Sequence, residues 1–336
     1  MGKGHPLAKR PNVALAEIED QRLIIRETGS YTRLLFEQEL RRQIIVSQQV
    51  LEISSSEGLL EAVALGLGVG IIQAGELTLD NRIQLLTTIE HALQQFRVTI
   101  KRYYRQCIIV ESKADASIVT EADRTVESQI HQIISQRHPN HGIIGEEYGS
   151  NQNLAAYMWV IDPIDGTKSF ISGMPTFGTL IGLTHHNRPK LGVIDMPILD
   201  ECWVGIMGEK TTHNGQTCHV SHVKQLAQAT LYCTEPEMFD TPQLEKFKRL
   251  SRLVYLRRFG GDCYSYGLLA SGQIDLVVEG SLHYYDIMAL IPVVEGAGGV
   301  ITDWQGNILE EGWDGLVVAA ATPELHQAAL NLLKSH

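Results

Sequence analysis

Trp159-Val160-Ile161-Asp162-Pro163-Ile164-Asp165-Gly166-Thr167 is the stretch on which the reading of this chain turns. Its apolar half predicts a buried strand. Asp-Pro-Ile-Asp-Gly predicts the strand's end, because proline cannot donate to a ladder and glycine permits a sharp turn. Two carboxylates three residues apart then crowd that end. An Asp-Pro step with a nearby glycine also describes an ordinary turn, so the chemistry depends on what accompanies it.

Acids at three further places in the chain accompany it. Ile143-Ile144-Gly145-Glu146-Glu147 repeats the order of apolar run, glycine and carboxylates, and read alone it is a pair of solvated loop glutamates. Asp286 stands just ahead of an apolar helical stretch, where a helix N-cap is the plain reading. Asp123 opens a helix entered from Ser117 and Thr120, where it favours the helix dipole. Together these acids supply hard oxygen ligands with no paired Cys/His set, and that chemistry selects magnesium over zinc. The backbone carbonyl of Ile164, between the two aspartates, is a further oxygen ligand.

Charge leads to the same place. With 28 basic and 39 acidic residues the formal charge is −11. Such a chain repels nucleic-acid backbones and anionic lipid, so neither a nucleic-acid nor a membrane partner is expected. An anionic substrate would be repelled too, unless cations sit in the site. Two or three Mg²⁺ ions held by the acids turn a negative site into an attractive one for phosphate.

Around this centre the pattern is that of a mixed domain. Asn81–Gln106 predicts a long amphipathic helix with Ile83, Leu86, Ile89, Leu93, Phe96, Ile100 and Tyr103 on one side, and Glu121–Arg137 a second, ended before Pro139. Short apolar runs then alternate with turns and with helical segments at Pro242–Leu250, Cys263–Ala270, Met288–Glu295 and Pro323–Lys334. Strands and helices mixed at this density predict a layered α/β or α+β domain. Residues 1–76 differ. Ala14–Ile25 and Tyr31–Leu51 have helix-like spacing, so this extension is expected to be mainly helical, with 77–336 as the second domain. Gly66-Leu67-Gly68-Val69-Gly70 has the wrong spacing for a dinucleotide loop and reads as a small-residue packing surface. Five scattered cysteines without a C-x-x-C pair fit a reducing cytoplasm. No secretory signal is visible at the start, and Leu59–Gly75 is too short and glycine-rich for a membrane span.

At this point the residues carry a resemblance. Gly145-Glu146-Glu147, Asp162-Pro163-Ile164-Asp165-Gly166-Thr167, and Tyr285-Asp286 ahead of Gly296-Ala297-Gly298-Gly299 resemble the inositol monophosphatase family, within the metal-dependent, lithium-sensitive phosphatase superfamily. The match runs from about Lys113 to the C-terminus. It implies a layered αβαβα sandwich, Mg²⁺, inhibition by Li⁺, phosphate monoester hydrolysis and a homodimer. Carried over by position, Glu146, Asp162, Asp165 and Asp286 resemble the metal-binding carboxylates, with Ile164 giving its carbonyl. Thr167 and Asp123 resemble the pair that orients and deprotonates the attacking water. Gly166 and Thr167 would offer backbone N–H groups to phosphate. Lys113 and Glu147 match positions near the metals. Two departures stand out: Tyr285 replaces the family's usual tryptophan, and the first 75 or so residues have no counterpart. An appendage, a mis-set start and a partner-binding segment all remain compatible with that extension.

Within the family, Leu256–Gly272, Asp275–Glu279 and Tyr285–Gly299 resemble the histidinol-phosphatase branch. Histidinol phosphate is a small phosphate ester with an ammonium and an imidazole, and Glu279 and Asp262, beside Gly261, would pair the cation. An inositol ring's hydroxyls would also be served by Glu279, so inositol phosphate or another sugar phosphate stays open. So does a metal-binding regulatory protein that keeps the fold. The plain readings of these residues are a turn at Gly260-Gly261 and an N-cap at Asp262.

Overall fold

Chain contacts divide the protein into two units, Met1–Gly75 and Glu76–His336. The computed structural model describes residues 79–334 except 108–109, 113–117 and 152–154. In the first unit it describes residues 18, 21–26, 33, 36–37, 40, 49–53, 62–63, 65 and 67–70. Lys113 and Ser117 lie outside the described residues.

In the first unit, β1 (Leu23–Arg26) is the centre of a parallel sheet between β2 (Val50–Ile53) and β3 (Val69–Gly70). Helical residues occur at Arg33, Phe36, Glu37, Leu40, Ala62 and Val63. The described part is therefore mixed, and two of its strands, β1 and β2, overlap segments whose spacing predicts helix. The physical reason is burial on both faces. Leu23, Ile24 and Ile25 are all buried, as expected of a central parallel strand, and a short continuous apolar run matches helix and strand periods alike. Val69 and Gly70 of the glycine-rich segment pair with β1, so they serve packing.

The second unit opens with α1 (Leu79–Tyr103), the hairpin β4 (Val110–Ser112) and β5 (Ile118–Thr120), and α2 (Glu121–Arg137). It continues with β6 (Gly142–Gly145), β7 (Gly149–Asn151), β8 (Tyr157–Asp165), α3 (Thr167–Ser172), β9 (Gly178–His185), β10 (Arg188–Met196), β11 (Glu201–Ile206), β12 (Thr212–His213) and β13 (Gln216–Thr217). The second half holds β14 (Thr230–Cys233), α4 (Thr241–Ser251), β15 (Leu256–Phe259), α5 (Tyr264–Ala270), β16 (Leu276–Glu279), α6 (Tyr284–Ile287), α7 (Leu290–Gly296), β17 (Val300–Thr302), β18 (Val317–Ala320) and α8 (Pro323–Leu333).

Two sheets organise these elements. The larger has the order β13-β12-β11-β10-β9-β8-β6-β7 and is antiparallel except between β6 and β8. The smaller has the order β15-β14-β16-β18-β17. Helices α1 and α2 cover one face of the large sheet through a core of Leu85, Ile89, Phe96, Ile100, Val126 and Ile130 against Trp159 and Ile161. Helix α7 packs on β10 and β11, and α5 packs on α7. Helices α4 and α8 close the small sheet through Phe247, Leu250, Leu325 and Leu330. The layers are thus αβαβα. Helix α1 is rotated slightly from its expected stripe: Ile83 is 54% exposed while Leu85 is buried. One ion pair ties α1 to the sheet beneath it. Arg97 Nε lies 3.0 Å from both carboxylate oxygens of the fully buried Asp195 on β10.

Candidate active site

Strand β8 does not stop at Asp162 but runs on to Asp165, with a register break against β9 between those two residues. Pro163 sits in the break, where no ladder donor is required, and its carbonyl accepts a 2.8 Å bond from Thr179 Oγ1. The break brings Asp162 and Asp165 toward one end of the sheet. Gly166 follows with φ +85°, a left-handed conformation that glycine adopts without strain, and it N-caps α3 with no side-chain cap. Thr167 begins that helix, and its hydroxyl donates to the Ile164 carbonyl at 3.2 Å.

Two more acids arrive by a shared device. Asp123 on α2 and Asp286 on α6 each occupy the third helical position and close a capping box. Asp123 Oδ2 accepts from Thr120 N at 2.7 Å, and Asp286 Oδ2 accepts from His283 N at 2.7 Å. One oxygen of each carboxylate is thereby spent on the helix start. The other oxygen of Asp123 is buried and has no hydrogen-bond partner among the described residues. Asp286 also faces Asp162 across the cluster.

Ligand atoms of Asp162, Asp165 and Asp286 all lie within 4.8 Å of one another. Electrostatics record the crowding. Burial, then repulsion from Glu146, Asp165 and Asp286, pushes the Asp162 carboxyl well above its usual range. Burial, then Asp262 and Asp286, does the same to Asp165. Asp286 is pushed up to about 7 by burial and Glu146, and Asp123 to about 6 by burial and Glu146. Glu146 therefore acts on three of the other four acids. Burial also drives the Cys263 thiol up, so a thiolate ligand beside Asp165 is disfavoured. Hard oxygen donors, mutual repulsion and an orphaned buried oxygen together fit a divalent cation of the magnesium type. When bound, such an ion lowers the pKa of water and neutralises phosphate charge.

The cleft continues from Asp165 and Asp286 to Asp262, Glu279, Tyr266 and Met238. Asp262 has φ +44°, uncommon for a non-glycine residue. Its carboxylate accepts from Ser169 Oγ at 2.6 Å and lies against Gly166, where a Cβ would meet it at 2.7 Å. Glu279, at the end of β16, is buried and accepts from Thr234 N at 3.1 Å and Tyr266 Oη at 2.8 Å. Gly261, next to Asp262, lies so close to Ser265 that a Cβ on it would meet Ser265 Oγ at 2.0 Å. Thr234 and Tyr266 went unread in the sequence because nothing local marks a partner that lies across a sheet. Glu147 donates its N–H to Glu127 Oε2 at 2.8 Å, and Glu127, also unread, carries a detectable signal: an acid on the apolar face formed by Val126, Ile130 and Ile133.

Comparison with known proteins fixes the family. The inositol monophosphatase family model matches residues 82–336. The chain belongs to the inositol monophosphatase family. Its relatives include the chloroplastic bifunctional phosphatase IMPL2 of Arabidopsis thaliana, 45% identical over 246 residues, with 70% of this chain and 71% of that protein covered. The histidinol-phosphatase of Chlorobaculum parvum is 36% identical, covering 70% of this chain and 91% of that protein. The solved structure of an inositol monophosphatase from Zymomonas mobilis superposes with a TM-score of 0.68 at 39% identity, covering 74% of this chain and 97% of that one. The family model accounts for the αβαβα unit and starts after the first unit. Residues 1–105 match a different model, the LysR substrate binding domain. Among the described residues no helix is long and apolar enough to cross a membrane.

Proposed function

We propose that this member of the inositol monophosphatase family is a Mg²⁺-dependent phosphatase that hydrolyses L-histidinol phosphate to L-histidinol and phosphate. The observation that carries the choice of ester is Asp262, a carboxylate additional to the clustered acids and facing the same cleft. A cationic amine beside the ester phosphate gives Asp262 and Glu279 a partner, and a desolvated charge-assisted bond is worth roughly 1.5–3 kcal/mol. The likeness to a histidinol-phosphatase and to IMPL2 supports this reading. An inositol phosphate is the competing substrate, favoured by the Zymomonas likeness. Glu279 serves either ester, whereas Asp262 has most to gain from a cation.

In this reading Glu146, Asp162, Asp165, Asp286 and the Ile164 carbonyl hold two or three Mg²⁺ ions, with Glu147 nearby. Asp123 takes the proton of the attacking water through its unpartnered oxygen, and Thr167 orients that water. The amides of Gly166 and Thr167 receive the phosphate. A panel of phosphate esters assayed with Mg²⁺ tests the proposal. L-histidinol phosphate should have the highest kcat/KM, EDTA should abolish turnover, and Li⁺ should inhibit it. A preference for inositol 1-phosphate would overturn the substrate and leave the phosphatase standing.

We also propose a homodimer. The edge strand β15 supports it: Leu256 and Phe259, with neighbouring Leu253 and Tyr255, are exposed beside a sheet edge that no other described strand pairs, and such an edge is a template for a second copy. Light scattering should give twice the chain mass, and Leu256→Glu should halve it. A monomer mass for the wild type at micromolar concentration would refute the assembly.

A further inference from the structure

Glu127 is a carboxylate with no exposed surface, one helical turn after Asp123 on α2. It faces the tight turn between β6 and β7, where Gly145 pairs with Gly149. Three amides of that turn need partners. Glu146 N reaches the Ile161 carbonyl at 3.1 Å. The other two both end on Glu127: Glu147 N on Oε2 at 2.8 Å and Tyr148 N on Oε1 at 3.1 Å. His131 Nε2 lies 3.3 Å from Oε1, outside hydrogen-bond geometry. The approach is so close that a Cβ on Gly145 would stand 1.8 Å from Glu127 Oε1. Glu127 is thus held between the glycine before Glu146 and the two amides after it.

We propose that Glu127 is a positioning residue that aims the Glu146 carboxylate and so sets the affinity of the acidic cluster for a divalent cation. It does so without touching the cation or the substrate. Helix α2 then serves the site twice on one face, presenting Asp123 directly and fixing Glu146 through Glu127. A neutral side chain of similar size would fill the space but not both amides. An ionised carboxylate satisfies two N–H donors with charge-assisted bonds, and this accounts for an acid on the helix's apolar face. The inference rests on the metal-dependent phosphatase reading and not on the choice of ester.

The test is calorimetric titration of the full chain with Mg²⁺ alone, paired with the Mg²⁺ dependence of turnover and with hydrogen exchange at the Glu147 and Tyr148 amides. Removing an outer partner of a metal ligand weakens binding about 10- to 100-fold. Glu127→Ala should raise the Mg²⁺ dissociation constant by about that factor, with kcat at saturating Mg²⁺ changed much less. Glu127→Gln, which keeps one acceptor, should fall between, with faster exchange at one of the two amides. Gly145→Ala should act in the same direction by displacing the carboxylate. Folded variants with wild-type Mg²⁺ affinity, or a loss of kcat with unchanged Mg²⁺ requirement, would overturn the proposal. So would failure of both Glu127→Gln and Glu127→Ala to fold, the signature of a purely structural acid. A wild type that binds no Mg²⁺ would remove the phosphatase reading as well. One that binds Mg²⁺ but prefers another ester would leave this inference intact.

Discussion

Asp286→Asn should stabilise the metal-free protein while disabling it, and the size of the gain follows from the site. The Asp286 carboxyl rises from 3.8 to about 7, chiefly by burial and then by Glu146. A carboxyl whose folded pKa is raised binds more protons folded than unfolded between those two values. The chain therefore loses stability as pH climbs through that window. At pH 8 the full loss is roughly 4 kcal/mol, and water in the cleft screens it to about 2–4 kcal/mol. Asparagine removes the charge and keeps the helix cap: its oxygen still accepts from His283 N. In EDTA at pH 8 the variant should melt roughly 5–10 °C above wild type. At pH 5 the advantage should shrink to about 1 kcal/mol. Mg²⁺ should reverse the order at pH 8, because the wild type gains a ligand that the variant binds poorly. Turnover should drop about a hundredfold or more. Thermal melts with and without EDTA across pH 5–8 decide the matter. A variant no more stable than wild type at pH 8 without metal would refute the claim that burial and the neighbouring acids together penalise the ionised Asp286 in the folded chain.

Three further outcomes are expected. Asp262→Asn should lower kcat/KM for L-histidinol phosphate about ten- to a hundredfold relative to glycerol phosphate, measured as a ratio on one preparation; an equal fall for both esters would assign Asp262 to the fold alone. Arg97→Ala strands the buried Asp195 carboxylate, and breaking such a pair costs about 3–5 kcal/mol. Burial already pushes Asp195 up, so denaturant titrations should show a deficit that grows as pH rises. Deleting residues 1–77 should leave turnover per active site within about twofold, since the family match begins at residue 82 and each candidate site residue lies beyond it; a large fall in kcat would give the first unit a catalytic part.

Legibility in the sequence followed the range of the interaction that fixes each feature. Helix α2 was readable because Thr120, the acidic first turn and Pro139 are local signals, and the acids on β8 because they interrupt an apolar run. The first unit's strands were not. Leu23–Ile25 is too short for its period to separate helix from strand, and pairing with Val50 and Val69 decided it. The end of β8 lies beyond the Asp162 that the sequence predicts, for the opposite reason. Proline does bar a ladder donor, but a register break removes the need for one, and a break depends on β9. Glu279 reads in the sequence as a cation partner, but its bonds to Thr234 and Tyr266 come from β14's end and α5, which no spacing in the sequence brings together.

The acids themselves show why a plain reading and a chemical one need not compete. Asp123 and Asp286 each look like helix-start residues, and each is one: an oxygen of each closes a capping box. A carboxylate has two oxygens, and a box occupies one of them. The second is left where the cap has aimed it, and rotating it away would break the cap. The helix start thus fixes the angle that a ligand or a proton acceptor requires, at an energy of about 1 kcal/mol that the fold already recovers from the cap. Asp162 and Asp165 have no such support, and they depend instead on the Ile164 and Cys263 amides. The same logic extends to Glu127, whose two oxygens are both spent on amides and which therefore holds a turn rather than an ion.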